Sequence, residues 1–240
     1  MAPSELASAT DPLAQSKGWP SIVADWSSDQ RAFKQVSWGK AMMWIFLLSD
    51  TFVFGCFLLS YMTVRMSTTV PWPNASEIFA LNIGGNDVPL ILIAIMTFVL
   101  ITSSGTMAMA VNFGYRRDRA KSAILLLVTA VFGAMFVGMQ AFEWTKLIED
   151  GVRPWGNPFG AAQFGSSFFM ITGFHGFHVS VGVLFLIIVA RKVWRGDYDN
   201  SRKGFFTSRK GHYEAVEIMG LYWHFVDLVW VFIFAVFYLW

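Results

Sequence analysis

Two histidines in the middle of a long apolar stretch are the first residues in this chain whose types and spacing suggest chemistry. The stretch Phe164–Ala190 contains no Lys, Arg, Asp or Glu, and its run FFMITGFHGFHV includes His175 and His178. Three residues of α-helix correspond to about 300° of rotation, so both imidazoles should project from roughly the same face. Hydrocarbon offers such rings no hydrogen-bond partner. Another protein segment should therefore pack on this face.

Carboxyl groups are embedded in apolar sequence as well. Asp50 lies about 13 Å into the first apolar segment, where an ionised Asp costs roughly 2.5–3.5 kcal/mol. It is a candidate for proton chemistry, and the alternative is a protonated carboxyl that only joins helices. Glu143, near the end of the third segment, is predicted to be a structural acid at the membrane boundary.

The last apolar segment, HYEAVEIMGLYWHFVDLVW, carries three further polar candidates. Glu217 lies near its beginning, and His224 and Asp227, three residues apart, can approach each other along one helix. Three histidines with Asp50 or Asp227 could in principle supply a zinc site, and two histidines could hold a b-type haem. Histidines at this spacing are equally ordinary hydrogen-bonding groups, so the residues alone leave both interpretations open.

The composition is that of a polytopic membrane protein. Of the 240 residues, 55% are hydrophobic and 14% are charged, with a mean hydropathy of +0.49. An ordinary soluble domain carries about 25% charged residues. Cys56 is the single cysteine, which excludes an internal disulfide and a cysteine-based cluster.

Five apolar segments are each long enough to cross a bilayer, which takes about 20 helical residues. The sequence therefore predicts an all-α bundle of five transmembrane helices, at Ala41–Val64, Pro89–Val111, Ala123–Phe142, Phe164–Ala190 and Ala215–Trp240. Residues 1–40 are polar and lack the apolar core of a signal peptide, so we expect a cytoplasmic N-terminal extension followed by a membrane domain at 41–240.

The basic residues predict the orientation of the spans. Fifteen of the 18 Lys and Arg residues lie on the N-terminal side of the predicted membrane, and only Arg65, Lys146 and Arg153 lie on the other. Because basic residues accumulate in cytoplasmic loops, the N-terminus should be cytoplasmic and the C-terminus periplasmic.

Several motifs resemble the cytochrome oxidase subunit III family of haem–copper terminal oxidases. The motifs are TGFHGFHV in the fourth span, YWHFVDLVWVFIF in the fifth, WIFLLSD in the first, SSGT in the second and MQAFEW in the third. Five spans rather than seven resemble the short bacterial form that lacks the family's first two helices. Asp50 stands where the family has a buried glutamate.

This resemblance implies a subunit that binds no haem or copper itself. It would pack on catalytic subunit I, stabilise that subunit through turnover and bind phospholipid. Asp50, Glu143, His175, His178, Glu217, His224 and Asp227 would then be buried polar, lipid-proximal or proton-related groups. They would not be metal ligands.

We therefore predict a non-catalytic third subunit of a proton-pumping oxidase of aerobic respiration, in a bacterial inner membrane. The predicted partners are oxidase subunits I and II and phospholipids, with other respiratory complexes as candidates for the N-terminal extension and no nucleic acid. The electron donor is cytochrome c or a quinol. The alternatives are an accessory subunit of a nitric oxide reductase and a haem-b anchor of a quinone-linked dehydrogenase.

The orientation can be tested with two topology reporters. A reporter fused after Trp240 should show a periplasmic location. A reporter placed between Arg195 and Lys210 should show a cytoplasmic location, because the basic residues lie mostly on that side. Reporters that localise to the same side would contradict the odd number of spans.

Overall fold

A computed structural model describes residues 38–79, 81–83, 86–88, 90–199 and 213–240 of the protein. Five long helices account for most of these residues. The long helices are α1 (Trp38–Ser67), α3 (Ile91–Tyr115), α4 (Arg119–Glu149), α5 (Gln163–Arg195) and α6 (Glu214–Phe234). A π-helical segment, Ala235–Leu239, continues α6. Between α1 and α3 lie a one-turn helix α2 (Ala75–Ile78) and an antiparallel pair of three-residue strands, β1 (Leu81–Ile83) and β2 (Asn86–Val88).

The prediction of a helical membrane domain is confirmed. All five long helices are long and apolar enough to cross a membrane. Helix α3 begins at Ile91 rather than Pro89, and the last helical residue is Leu239 rather than Trp240. Most of the helix ends extend beyond the predicted apolar segments, since backbone hydrogen bonds continue past the hydrocarbon. For example, α4 begins at Arg119 rather than Ala123 because the Asp118 side chain accepts a hydrogen bond from the Lys121 backbone N–H. The Lys121 interaction also lowers the pKa of Asp118.

Two predictions about the chain's ends remain untested. Residues 1–37 lie outside the described part of the chain, and α1 begins at Trp38, so the predicted division at residue 40 stays a prediction. The orientation of the termini also stays a prediction. The short β1–β2 hairpin lies between the first two spans, where the sequence analysis predicted no strands.

Four of the helices form a closed bundle, and the fifth leans on its side. Contacts run from α3 to α4, α4 to α5, α5 to α6 and α6 back to α3, whereas α1 packs against α5 and α6. Among the five spans, α6 is the most buried and α1 the least. The bundle therefore has α6 packed among three other helices and α1 largely facing outward.

Trp223 of α6 lies at the centre of this bundle. Its side chain is fully buried, and its indole N–H donates to the Ser103 hydroxyl of α3 over 2.9 Å. Two glycines make room for the ring. A Cβ added at Gly133 of α4 would lie 2.5 Å from Cη2 of Trp223, and one at Gly182 of α5 would lie 2.8 Å from Cζ3. Trp223 thus brings four helices together at positions where even a methyl group does not fit.

Two glycines on α5 offer a matched test of this packing. Gly182→Ala should destabilise the protein by about 1–3 kcal/mol, because the new methyl displaces the Trp223 ring. Gly176→Ala, on the same helix with open space around its Cβ, should be neutral or stabilise by up to about 1 kcal/mol. The measurement is the thermal denaturation midpoint in detergent, and equal midpoints for the two variants would contradict this description.

Candidate functional site

A carboxyl–imidazole pair joins α1 to α5 within the membrane-spanning region. The Oδ2 atom of Asp50 and the Nε2 atom of His178 lie 2.9 Å apart. Both residues are buried, with 7% and 8% of their surfaces exposed. The sequence indicated that each needed a polar partner, and the fold makes each the partner of the other.

The second nitrogen of His178 determines how protons are arranged in this pair. His178 Nδ1 lies 2.8 Å from the backbone oxygen of Phe174. A carbonyl can only accept, so Nδ1 carries a hydrogen and a neutral His178 has its lone pair on Nε2. At 2.9 Å, the Nε2 and Oδ2 atoms are close enough to share one proton. The pair is either a neutral imidazole with a protonated carboxyl or an imidazolium with a carboxylate, and both are neutral overall.

Aromatic residues enclose the pair. Phe54 of α1 has its ring centroid 5.6 Å from that of His178 and 5.4 Å from that of Phe174. From α6, the Tyr222 hydroxyl donates to the His178 carbonyl oxygen over 2.9 Å. Three helices therefore meet around a carboxyl–imidazole pair that is largely buried.

His175 occupies a different environment from His178. Its ring is fully buried, stacks on Trp230 with centroids 5.3 Å apart, and meets the edge of Phe136 at 5.7 Å. Neither ring nitrogen has a hydrogen-bond partner among the described residues. Both imidazoles contact Phe54, as expected for residues on one helical face. Unlike His178, however, His175 is surrounded by aromatic rings and has no polar partner among the described residues.

Glu143 lies in a polar contact between α4 and the π-helical end of the chain. The carboxyl is buried and accepts from Gln140 Nε2 over 2.6 Å and from the Tyr238 hydroxyl over 3.3 Å. The sequence predicted Glu143 as a structural acid but gave no indication of Tyr238. A π-helical turn changes which side chains share a helix face. The spacing rules of an ordinary α-helix therefore could not predict that Tyr238 faces Glu143.

His224 and Asp227 do not pair directly, although their spacing suggested that they can. The Ser104 hydroxyl of α3 lies between them, 3.0 Å from His224 Nδ1, and it also hydrogen-bonds Asp227 Oδ2. Hydroxyl residues near Ser104 in α3 bond backbone carbonyls of their own helix. Ser103 and Thr106 do so, whereas Ser104 bonds across to α6.

Glu217 forms an ion pair with Lys40, which joins the beginnings of α6 and α1. Both side chains are partly exposed, with 23% and 32% of their surfaces accessible, so the pair contributes little on its own. It links the N-terminal end of α1 to the N-terminal end of α6.

The candidate metal ligands belong to separate contacts. His178 pairs with Asp50, His224 with Ser104, and His175 with aromatic rings. Within the described ranges, no three or more His, Cys, Asp or Glu side chains come together as a metal-ion site. The predicted absence of cofactors in this chain remains a prediction.

Comparison with known proteins determines the family. The sequence profile described as Cytochrome c oxidase subunit III matches residues 19–240. The chain belongs to this family. Among its relatives, a protein of Staphylococcus saprophyticus named "Probable quinol oxidase subunit 3" is 31% identical over 213 residues, covering 88% of this chain and 92% of the relative. A protein of Staphylococcus aureus with the same name is 31% identical over 202 residues, covering 83% and 88%.

The family assignment confirms the principal functional prediction. The chain is a subunit III of a terminal oxidase, in which it associates with other oxidase subunits as a multi-pass membrane protein. The polar contacts described above are therefore contacts within subunit III. The roles of the seven predicted site residues stay predictions.

Two substitutions of Asp50 separate hydrogen bonding from acidity. Asp50→Asn should assemble normally, because its amide N–H can donate to Nε2 of neutral His178. Asp50→Leu should weaken the fold by about 0.6 kcal/mol, a typical value for a hydrogen bond between membrane helices. Denaturation midpoints of both variants, each also combined with His178→Leu, measure the coupling. Fully additive effects of Asp50→Leu and His178→Leu would contradict a direct interaction.

Proposed function

We propose that this subunit III stabilises the catalytic subunit of a proton-pumping quinol oxidase and keeps a proton-holding pair within the bacterial inner membrane. The observation that carries the proposal is the Asp50–His178 contact. Two buried titratable groups there can share one proton without net charge. Such a pair can hold a proton at membrane depth at a lower cost than an isolated ionised group.

The proposed electron donor is a quinol. Support comes from the two staphylococcal relatives, both named as probable quinol oxidase subunits and both matched over more than four fifths of their length. The donor and the haem and copper centres would reside in the partner subunits I and II. The N-terminus would be cytoplasmic, as the distribution of basic residues predicts.

Phospholipid is the ligand that we propose for this chain itself. A cavity of about 320 Å³ lies where the end of α1 meets the π-helical segment, and its lining includes Tyr61, Arg65 and Trp72. The Arg65 guanidinium lies 4.4 Å from the ring centre of Trp240 and donates to its carbonyl oxygen. The Tyr61 hydroxyl accepts from the Trp72 indole N–H and can donate its own proton. Together with the Arg65 cation, it suits a phosphate headgroup at a membrane boundary, with acyl chains along the exposed apolar side of α1.

The proposal can be tested on the complex purified in mild detergent. A larger haem–copper subunit should copurify, and turnover with a quinol should exceed turnover with reduced cytochrome c. Removal of this chain should leave the initial rate nearly unchanged but shorten the active lifetime. The separated chain should carry no stoichiometric haem, iron, copper or zinc, as the matched control for the intact complex.

Three results would contradict parts of this proposal. Faster turnover with cytochrome c would reverse the donor assignment. An unchanged lifetime after removal of the chain would argue against stabilisation. One equivalent of metal or haem in the separated chain would favour the haem-anchor alternative.

A further inference from the structure

The Ser104–His224–Asp227 cluster opens onto the surface between α3 and α6. Asp227 is 6% exposed and Ser104 is partly buried, whereas the His224 side chain is exposed. His224 begins a row of exposed α6 residues that continues with Leu228 and Phe232. The cluster is thus a polar point on an apolar surface.

The hydrogen bonds of the cluster have one consistent direction. Ser104 has a single hydroxyl proton, which it donates to the Asp227 carboxyl. Its oxygen therefore accepts from Nδ1–H of His224. This arrangement leaves Nε2 of His224 for a group outside the chain, as an acceptor when the ring is neutral or a donor when it is charged. The other Asp227 oxygen, Oδ1, is buried and has no hydrogen-bond partner among the described residues.

The position of the cluster along the helices makes this arrangement costly in lipid. His224 lies ten residues after Glu214, about 15 Å from the start of α6. Ser104 lies about 20 Å from the start of α3 at Ile91, which is on the other side of the membrane from the start of α6. Both distances place the cluster near the middle of a hydrocarbon layer about 30 Å thick. An imidazole is too short to reach a lipid headgroup from there, and acyl chains cannot satisfy Nε2 or Oδ1.

The α3 surface beside the cluster permits close approach by another helix. Gly105 and Ala108 are both exposed, and a Cβ added at Gly105 would meet nothing within 4 Å. Small residues at such positions allow backbones in membranes to pack closely. The apolar rim formed by Leu228 and Phe232 can then pack around the polar contact.

We propose that the α3–α6 face is a docking site for a transmembrane helix of another oxidase subunit, which presents a hydrogen-bonding side chain to Nε2 of His224. This proposal rests on the proposed assembly and specifies the face through which it occurs. A protein helix is the one occupant that both satisfies the imidazole at this depth and fits against the small residues of α3. The partner completes a hydrogen-bonded chain that runs from its own side chain through His224 and Ser104 to Asp227.

Site-specific crosslinking tests which surface is occupied. In a Cys56→Ser background, Leu228→Cys beside His224 and Leu184→Cys on exposed α5 would each carry a benzophenone label within the assembled complex. Position 228 should crosslink to a larger oxidase subunit, and position 184 should give at least several-fold less of that product. Crosslinking of position 228 only to lipid, or to a second copy of this chain, would overturn the proposal.

A second measurement tests the hydrogen bond itself. His224→Gln, which keeps polar atoms, should retain the chain in the complex, whereas His224→Phe should increase its dissociation in detergent several-fold. Ser180→Ala is the matched control, because Ser180 is exposed on α5 but bonds its own helix at the Gly176 carbonyl. Equal retention of His224→Phe and wild type would overturn the role of His224. Loss of the chain from the wild-type complex would instead contradict the proposed assembly.

Discussion

Hydrocarbon satisfies no hydrogen bond, and this constraint explains where the helices of this protein touch. Several polar groups on one helix meet a group on another, as Asp50 meets His178 and Ser104 meets Asp227. Trp223 adds a third such contact, to Ser103. Apolar surfaces alone do not specify how helices associate in lipid, because acyl chains are equally apolar. The polar contacts therefore determine which faces meet, and close packing fills the space between them.

Small residues determine how near the helices come. A Cβ at Gly133 would meet Cη2 of the Trp223 ring and one at Gly182 would meet Cζ3, so α4 and α5 both approach this fully buried side chain of α6. The indole N–H of the same ring donates to Ser103 of α3. Packing and hydrogen bonding are thus coupled at this point, and a change in either should disturb both.

The helices could be predicted from the sequence because each apolar stretch is long enough to span a membrane, but the pairing of polar groups could not. Asp50 and His178 were each expected to need a partner, yet 128 positions separate them, and only the lean of α1 against α5 brings them together. The spacing of His224 and Asp227 predicted that they can pair directly, whereas Ser104 of α3 lies between them. His175 was expected to have polar neighbours, whereas the fold surrounds its ring with Phe136 and Trp230.

Among the five spans, α1 depends most on polar contacts for its position, because it is the least buried. Three contacts hold it at three depths: Lys40 with Glu217 near its start, Asp50 with His178 in the middle, and Arg65 with Trp240 near its end. The two outer contacts are at least partly exposed and hence weak. The central pair lies in the low-dielectric interior, where an unpartnered carboxyl is costly. The Asp50–His178 contact therefore fixes the least buried of the five spans in the middle of its length.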